Sequence, residues 1–227
     1  MRTAVAVLQV LLLGCMACAL AVAPQQGQPV QPAQPPTLAD AEKAYAEVSN
    51  SIADLLWFRT DYYYHTGRWD DVIELIYGVI DLDPSFVEAY RSGAFIIWSK
   101  KTPQAYKEAV ALYDRGIKSN PDGWEIPYDC GAWFYMSHMR LAKKMTEAQA
   151  AKEAIPYLRL ATQNVDKGAP SQKRAQVWRA FGHTLRRAGQ PKAAARAFKR
   201  VLEINPADAV ALKELQKLEA QPSPGGR

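Results

Sequence analysis

The sequence predicts an all-α chain, an α-solenoid of about four helix–turn–helix repeats with flanking helices. Three observations predict it. Apolar and aromatic side chains recur at helical spacing in four successive segments. Proline closes most of those segments, at Pro84, Pro121 and Pro206. Strand-like alternation of apolar and polar residues persists nowhere in the chain.

The clearest segment carries Trp178, Phe181, Gly182, Leu185, Gly189, Ala194, Phe198, Val201 and Pro206. Trp178, Phe181, Leu185 and Phe198 form an apolar stripe. Gly182 and Ala194 lack bulk where two helices must approach closely. Gly189 suits the left-handed position that ends a first helix. Pro191 suits the first turn of a second, where no N–H is needed. If the Trp178 ring is fully buried, its truncation to alanine costs roughly 3–5 kcal/mol.

This spacing resembles the tetratricopeptide repeat, with its Trp, Leu-Gly, Tyr, Gly, Ala, Phe, Ala and Pro marks. Copies of that unit are expected at about 53–86, 87–123, 124–170 and 175–208, with a capping helix over 207–219. The first copy shows Tyr63, Gly67, Val72, Ile76, Val79 and Pro84, but has Arg59-Thr60 in place of Leu-Gly, which predicts a looser helix pair. The second follows Ser85-Phe86-Val87-Glu88, which reads as a capping box, and restarts at Thr102-Pro103. The third places Cys130-Gly131-x-x-Phe134 at the Leu-Gly-x-x-Tyr element. It carries an insertion around Met139–Ala150, with Thr146 and Gln149 as a further capping box. Pro156 falls inside its second helix and is expected to kink it. A flanking helix is expected after Thr37, with Ala41, Ala44, Tyr45 and Val48 on one face. The last helix carries Val210, Leu212, Leu215 and Leu218, with Lys213, Glu214 and Lys217 outward, as a polar cap requires.

The ends read differently. Met1-Arg2-Thr3 precedes an uncharged apolar run from Ala4 to Ala23, so residues 1–23 read as a signal peptide cut after Ala21 or Ala19. An uncleaved membrane anchor is the alternative. Leu12-Leu13-Gly14-Cys15 resembles a lipobox, which would make Cys15 a lipidated membrane tether. Residues 24–36 are a Pro/Gln-rich linker and 221–227 a disordered tail around the repeat domain, 37–220. With Cys15 and Cys18 in the export segment, Cys130 is left without an internal disulfide partner and is expected to be a small buried residue.

Function is expected to lie in binding. The resemblance implies a concave groove lined by first helices. Its positions fall on Trp57, Asp61, Tyr64 and His65; on Glu88, Arg91, Phe95 and Trp98; on Tyr128, Ala132, Tyr135 and Met136; and on Gln176, Arg179, His183, Arg186 and Arg187. Such a groove is aromatic in three copies and basic in the fourth. The same aromatics at helical spacing also suit a core. Trp57 and Asp61 stand where a lysine-and-asparagine carboxylate clamp would need other residues. Charge is uneven: Leu38–Pro121 holds 13 acidic and 9 basic residues, Asp122–Arg227 10 acidic and 18 basic. Between Lys167 and Arg200 ten basic residues stand with no acidic one, which points to an acidic protein or peptide partner, to anionic lipid head groups, to nucleic acid, or to a solvated face. Export makes nucleic acid an unexpected partner.

Asp61 and His65, four apart, permit a metal or acid–base pair, but an ordinary surface ion pair is the simpler reading. Phosphate-binding glycine loops, a nucleophile elbow and a His-Glu-x-x-His element are absent. The chain is therefore expected to be non-catalytic, without cofactor or metal: an exported scaffold, or alternatively a structural lipoprotein held through Cys15.

Overall fold

A computed structural model describes residues 37–134 and 144–220. The chain divides into two compact units, residues 1–42 and 43–227. In the first, the described part is Thr37 and the start of a helix, where the Thr37 N–H donates to Asp40 Oδ2 at 2.9 Å and the Asp40 N–H to Thr37 Oγ1 at 3.2 Å.

The described residues form helices and no strands: α1 Leu38–His65, α2 Trp69–Leu82, α3 Val87–Ser99, α4 Pro103–Ser119, α5 Glu125–Trp133, α6 Glu147–Val165, α7 Ser171–Arg187, α8 Pro191–Ile204 and α9 Ala209–Glu219. The fold is all-α and solenoid-like. Each helix from α2 onward packs chiefly on its neighbours in sequence, as expected when every pair leaves an apolar face for the next.

Local chemistry sets most boundaries. Gly67 (φ +72°) and Gly189 (φ +77°) take the left-handed conformation after α1 and α7. Lys101 (φ +56°) does so after α3, where a side chain makes that conformation costly. The Thr102 side chain accepts from the Ala105 N–H at 3.1 Å ahead of Pro103. Thr146 and Gln149 form the expected capping box of α6, at 2.8 and 3.2 Å. Pro191 occupies the first turn of α8. α6 runs unbroken through Pro156. The start of the insertion expected around Met139–Ala150 falls in residues 135–143, outside the described residues, as do the segments 1–36 and 221–227.

Three expectations change. No capping box forms at Ser85. The Ser85 N–H and hydroxyl both donate to Asp83 Oδ1, at 2.9 and 2.6 Å, because a carboxylate two residues back is the stronger acceptor. Phe86 then precedes α3 with no side-chain cap, and Glu88 accepts instead from Arg91 at 2.9 Å. The flanking helix after Thr37 is not separate. It is the first half of the 28-residue α1, and Ala41, Ala44, Tyr45 and Val48 are exposed. Trp178 is half-buried, so the cost foreseen for a fully buried ring does not apply.

The core runs along the array. Glycines mark its closest crossings: a Cβ at Gly182 would stand 2.9 Å from the Phe198 ring, and one at Gly116 would stand 2.7 Å from Tyr90. Cys130 is buried among this core, and burial pushes its thiol up. α1 is the exception. Its backbone approaches α2 less closely than any later sequential pair approaches, as Arg59-Thr60 predicts. Thr60 is buried in the position that glycine would take, its hydroxyl donating to the Trp57 carbonyl at 2.6 Å.

Candidate functional site

The loose seating of α1 opens a cleft of about 410 Å³ between α1, α2 and α3. Trp57, Phe58, Thr60, Asp61 and Tyr64 line it from α1, Val72 and Ile76 from α2, and Ser92, Phe95 and Ile96 from α3. Four of the expected groove residues therefore meet in one place: Trp57, Asp61, Tyr64 and Phe95. Trp57 tilts on Phe86 at 5.2 Å between ring centroids, and Tyr64 meets Trp69 edge-on at 4.9 Å. Phe95 is held edge-on to Trp133 at 5.0 Å. These rings are held by packing, yet Tyr64 and Phe95 each keep more than two-fifths of their surface exposed. An apolar hollow with fixed aromatic walls and a few polar atoms is suited to take side chains from another molecule.

His65 stands at the rim beyond the cleft. Its Nε2 lies 3.3 Å from Asp61 Oδ1, and both side chains are more than 70% exposed. That is an exposed side-chain contact of the i,i+4 kind. Among the described residues, no group of three or more His, Cys, Asp or Glu side chains is gathered to hold a metal.

Trp98 departs from its expected place on the groove surface. Only 7% of it is exposed, and its ring stands 4.6 Å from Trp133 within the core. Arg91 is not free to recruit a ligand: it donates to Asp129 at 2.6 Å and to Glu88 at 2.9 Å. Burial pushes the Asp129 carboxyl above the usual carboxylate range, against the pull of that guanidinium. The Tyr128 hydroxyl accepts from the Gln176 side chain at 3.0 Å, and Ala132 is half-buried beside it in α5. Tyr135 and Met136 lie outside the described residues.

The fourth copy is less basic than its sequence suggests. Arg179 pairs with Asp208 at 3.0 Å, Arg186 with Glu214 at 3.1 Å and Arg187 with Glu147 at 2.8 Å. Lys167 pairs with Asp122 at 2.6 Å, and Arg200 with both Asp166 and Glu203. Half of the ten cations between Lys167 and Arg200 thus have acidic partners from outside that stretch. Asp208 and Glu214 are themselves buried, and Asp208 also caps α9 by accepting from the Ala211 N–H at 2.9 Å. These pairs join α7 to α9 and α6. Their acids follow or precede the basic run in sequence, so charge counting along the chain could not pair them. His183 sits half-buried, edge-on to Phe198 at 5.1 Å, and burial lowers its pKa below the usual 6.5, helped by the three nearby arginines.

A second hollow, about 480 Å³, lies between α4 and α6. Its two tyrosine hydroxyls are occupied: the Tyr157 hydroxyl bonds Asp114 at 3.0 Å and the Tyr106 hydroxyl bonds Glu153 at 3.5 Å. Sequence reasoning passed over Phe58 and Ser92 in the main cleft. Phe58 could have been found, since it stands three residues before Asp61 and so shares its side of α1.

Among the described residues no helix is long and apolar enough to cross a membrane. No curated protein matches the chain in sequence. Among solved structures, PilF of Pseudomonas aeruginosa aligns with a TM-score of 0.52 at 18% identity, covering 75% of this chain and 68% of its own. PilW, described as a widely conserved type IV pilus biogenesis factor, aligns at 0.49 and 20% identity, over 75% of this chain and 70% of its own. MamA from Desulfovibrio magneticus RS-1 aligns at 0.49 and 15% identity, over 74% and 83%. Likeness at this level of identity speaks to fold alone. Residues 175–218, which span the closing helices α7–α9, match the tetratricopeptide repeat model. This closing segment of the all-α array is therefore similar to a tetratricopeptide repeat.

Proposed function

We propose that the protein is a non-catalytic scaffold that holds a peptide or helix of another protein in the cleft between α1, α2 and α3. The observation that carries the reading is the convergence of Trp57, Tyr64 and Phe95 on one hollow of about 410 Å³, with Asp61 at its edge. Rigid aromatics lose little entropy on contact and commonly carry interface energy. The repeat family supports the reading, since tetratricopeptide arrays bind protein partners. The PilF and PilW likeness is compatible with a role in assembling envelope structures, which remains this chain's proposed setting. The partner segment presents apolar side chains to the cleft. An acidic partner has less support than sequence alone gave it, because Arg179, Arg186 and Arg187 already face acids.

A photo-crosslinking residue at position 64, in living cells, tests this directly. The expected result is a discrete crosslinked partner whose yield falls at least about tenfold when Phe95→Glu is combined with Trp57→Ala. A crosslinking pattern unchanged by those substitutions overturns the reading.

Export through residues 1–23, with or without a tether at Cys15, belongs to the same proposal. Its support is the apolar run Ala4–Ala23 and the Leu12-Leu13-Gly14-Cys15 pattern. Mass spectrometry of the mature N-terminus decides: a free amine at Leu20 or Val22 supports a cut signal, and an acylated Cys15 supports the tether.

A further inference from the structure

A second surface stands apart from the cleft. Along α1, Tyr45, Val48, Ile52, Leu55 and Tyr62 follow one another at steps of three, four, three and seven residues, with Arg59 at the step between. That is the alternation of a coiled-coil seam, whose two positions recur every seven residues. The face that α1 turns toward its own fold is a different one, through Ser49, Ala53, Leu56 and Thr60. The seam is left open: Tyr45 is 74% exposed, Val48 58%, Ile52 42%, Leu55 70% and Tyr62 58%. Together these five side chains present on the order of 600 Å² of surface, most of the share one partner contributes to an interface of standard size. Monomers rarely leave a contiguous apolar patch that large in water.

We propose that this seam pairs with the same seam of a second copy, as an antiparallel two-helix contact. Charge selects the direction. In a parallel pair Arg59 would face Arg59, two guanidinium groups in one layer of the seam. In an antiparallel pair centred between Ile52 and Leu55, Ile52 meets Leu55 of the second copy and Tyr45 meets its Tyr62. Arg59 then meets Val48 of the second copy and comes beside its Glu47. Glu47 is exposed and held only by a 4.0 Å contact to Lys43, and Arg59 rests over Tyr62 and Tyr63, at 5.4 and 5.3 Å from the ring centroids. Two symmetric Arg59–Glu47 pairs result, as a two-fold contact requires.

Sedimentation equilibrium of the full chain, as purified from the producing cells, across a dilution series tests the pairing. A reversible monomer–dimer equilibrium is expected. Leu55→Glu should weaken it by at least about a hundredfold while leaving the helix content of the monomer unchanged, since Leu55 is 70% exposed. Arg59→Glu should weaken it about tenfold, and adding Glu47→Arg should restore it. Phe95→Ala, in the cleft, should leave it unchanged, so the pairing and the scaffold function fail or stand separately. A wild-type chain that stays monomeric throughout, including one whose first 36 residues cover the seam, overturns the proposal. So does a dimer indifferent to Leu55→Glu.

Discussion

Truncating Phe198 should destabilise the protein more than truncating the larger Trp178. Phe198 is fully buried, and its ring fills the notch that Gly182 leaves on α7. Gly182 has no side chain that could move in after Phe198→Ala, so the cavity persists. The cost is about 3–5 kcal/mol. Trp178 is half-buried, and its indole N–H lies 3.3 Å from both Asp166 oxygens, a weak bond. After Trp178→Ala, Asp166 keeps Arg200 at 3.2 Å. Only the buried part of the ring counts, so about 2 kcal/mol is lost. Both residues sit in the α7–α9 end of the array, where a repeat protein can open without unfolding elsewhere. Urea unfolding followed by circular dichroism, with hydrogen exchange of the α7–α9 amides, reads the difference. Equal losses, or a larger loss for Trp178→Ala, would refute the idea that the Gly182–Phe198 contact anchors this repeat.

Other perturbations follow from single groups. The Asn164 side chain is buried and donates to the carbonyls of Pro121 and Gly123, both at 2.9 Å, tying α6 to the α4–α5 turn. Asn164→Asp should cost about 2–4 kcal/mol near neutral pH by placing a carboxylate against two carbonyl oxygens, and less in acid, where the protonated group can donate once; a melt at both pH values checks this. The lowered His183 pKa means that the folded state prefers the neutral ring. Stability is therefore complete above about pH 6.5 and falls as pH drops from there toward the folded-state value, and His183→Gln should flatten the melting-temperature profile in that window. Lys101→Gly should stabilise by roughly 1 kcal/mol in chemical denaturation, by relieving the left-handed backbone that Gly67 and Gly189 adopt without strain. Thr146→Ala should cost about 1 kcal/mol by the same measure, through loss of the α6 capping box.

The residues that line the cleft were only partly legible. Trp57, Asp61, Tyr64 and Phe95 could be gathered in advance because they recur on one face of two first helices. Trp98 stands on that same helical face of α3, three residues after Phe95, and periodicity cannot say which of two such rings a neighbouring helix will cover. α5 covers it, through Trp133. The apparent capping box at Ser85 failed for a related reason. Its motif was complete, but Asp83, outside the motif, is the stronger competitor for Ser85.

What the chain's order of residues determined by itself is what acts within a few positions: helical periodicity, the turns at Gly67 and Gly189, the starts at Pro103, Thr146 and Pro191, and the loose seating implied by Arg59-Thr60. Those rest on backbone sterics and local hydrogen bonds, which need no distant partner. The tertiary structure alone decided which arginines of α7 find acids, since Glu147 and Glu214 lie tens of residues away and meet them only through packing. It also decided that α1 runs as one helix with a cleft on one side and an uncovered seam on another, because burial is a property of neighbours and not of the residue that is buried.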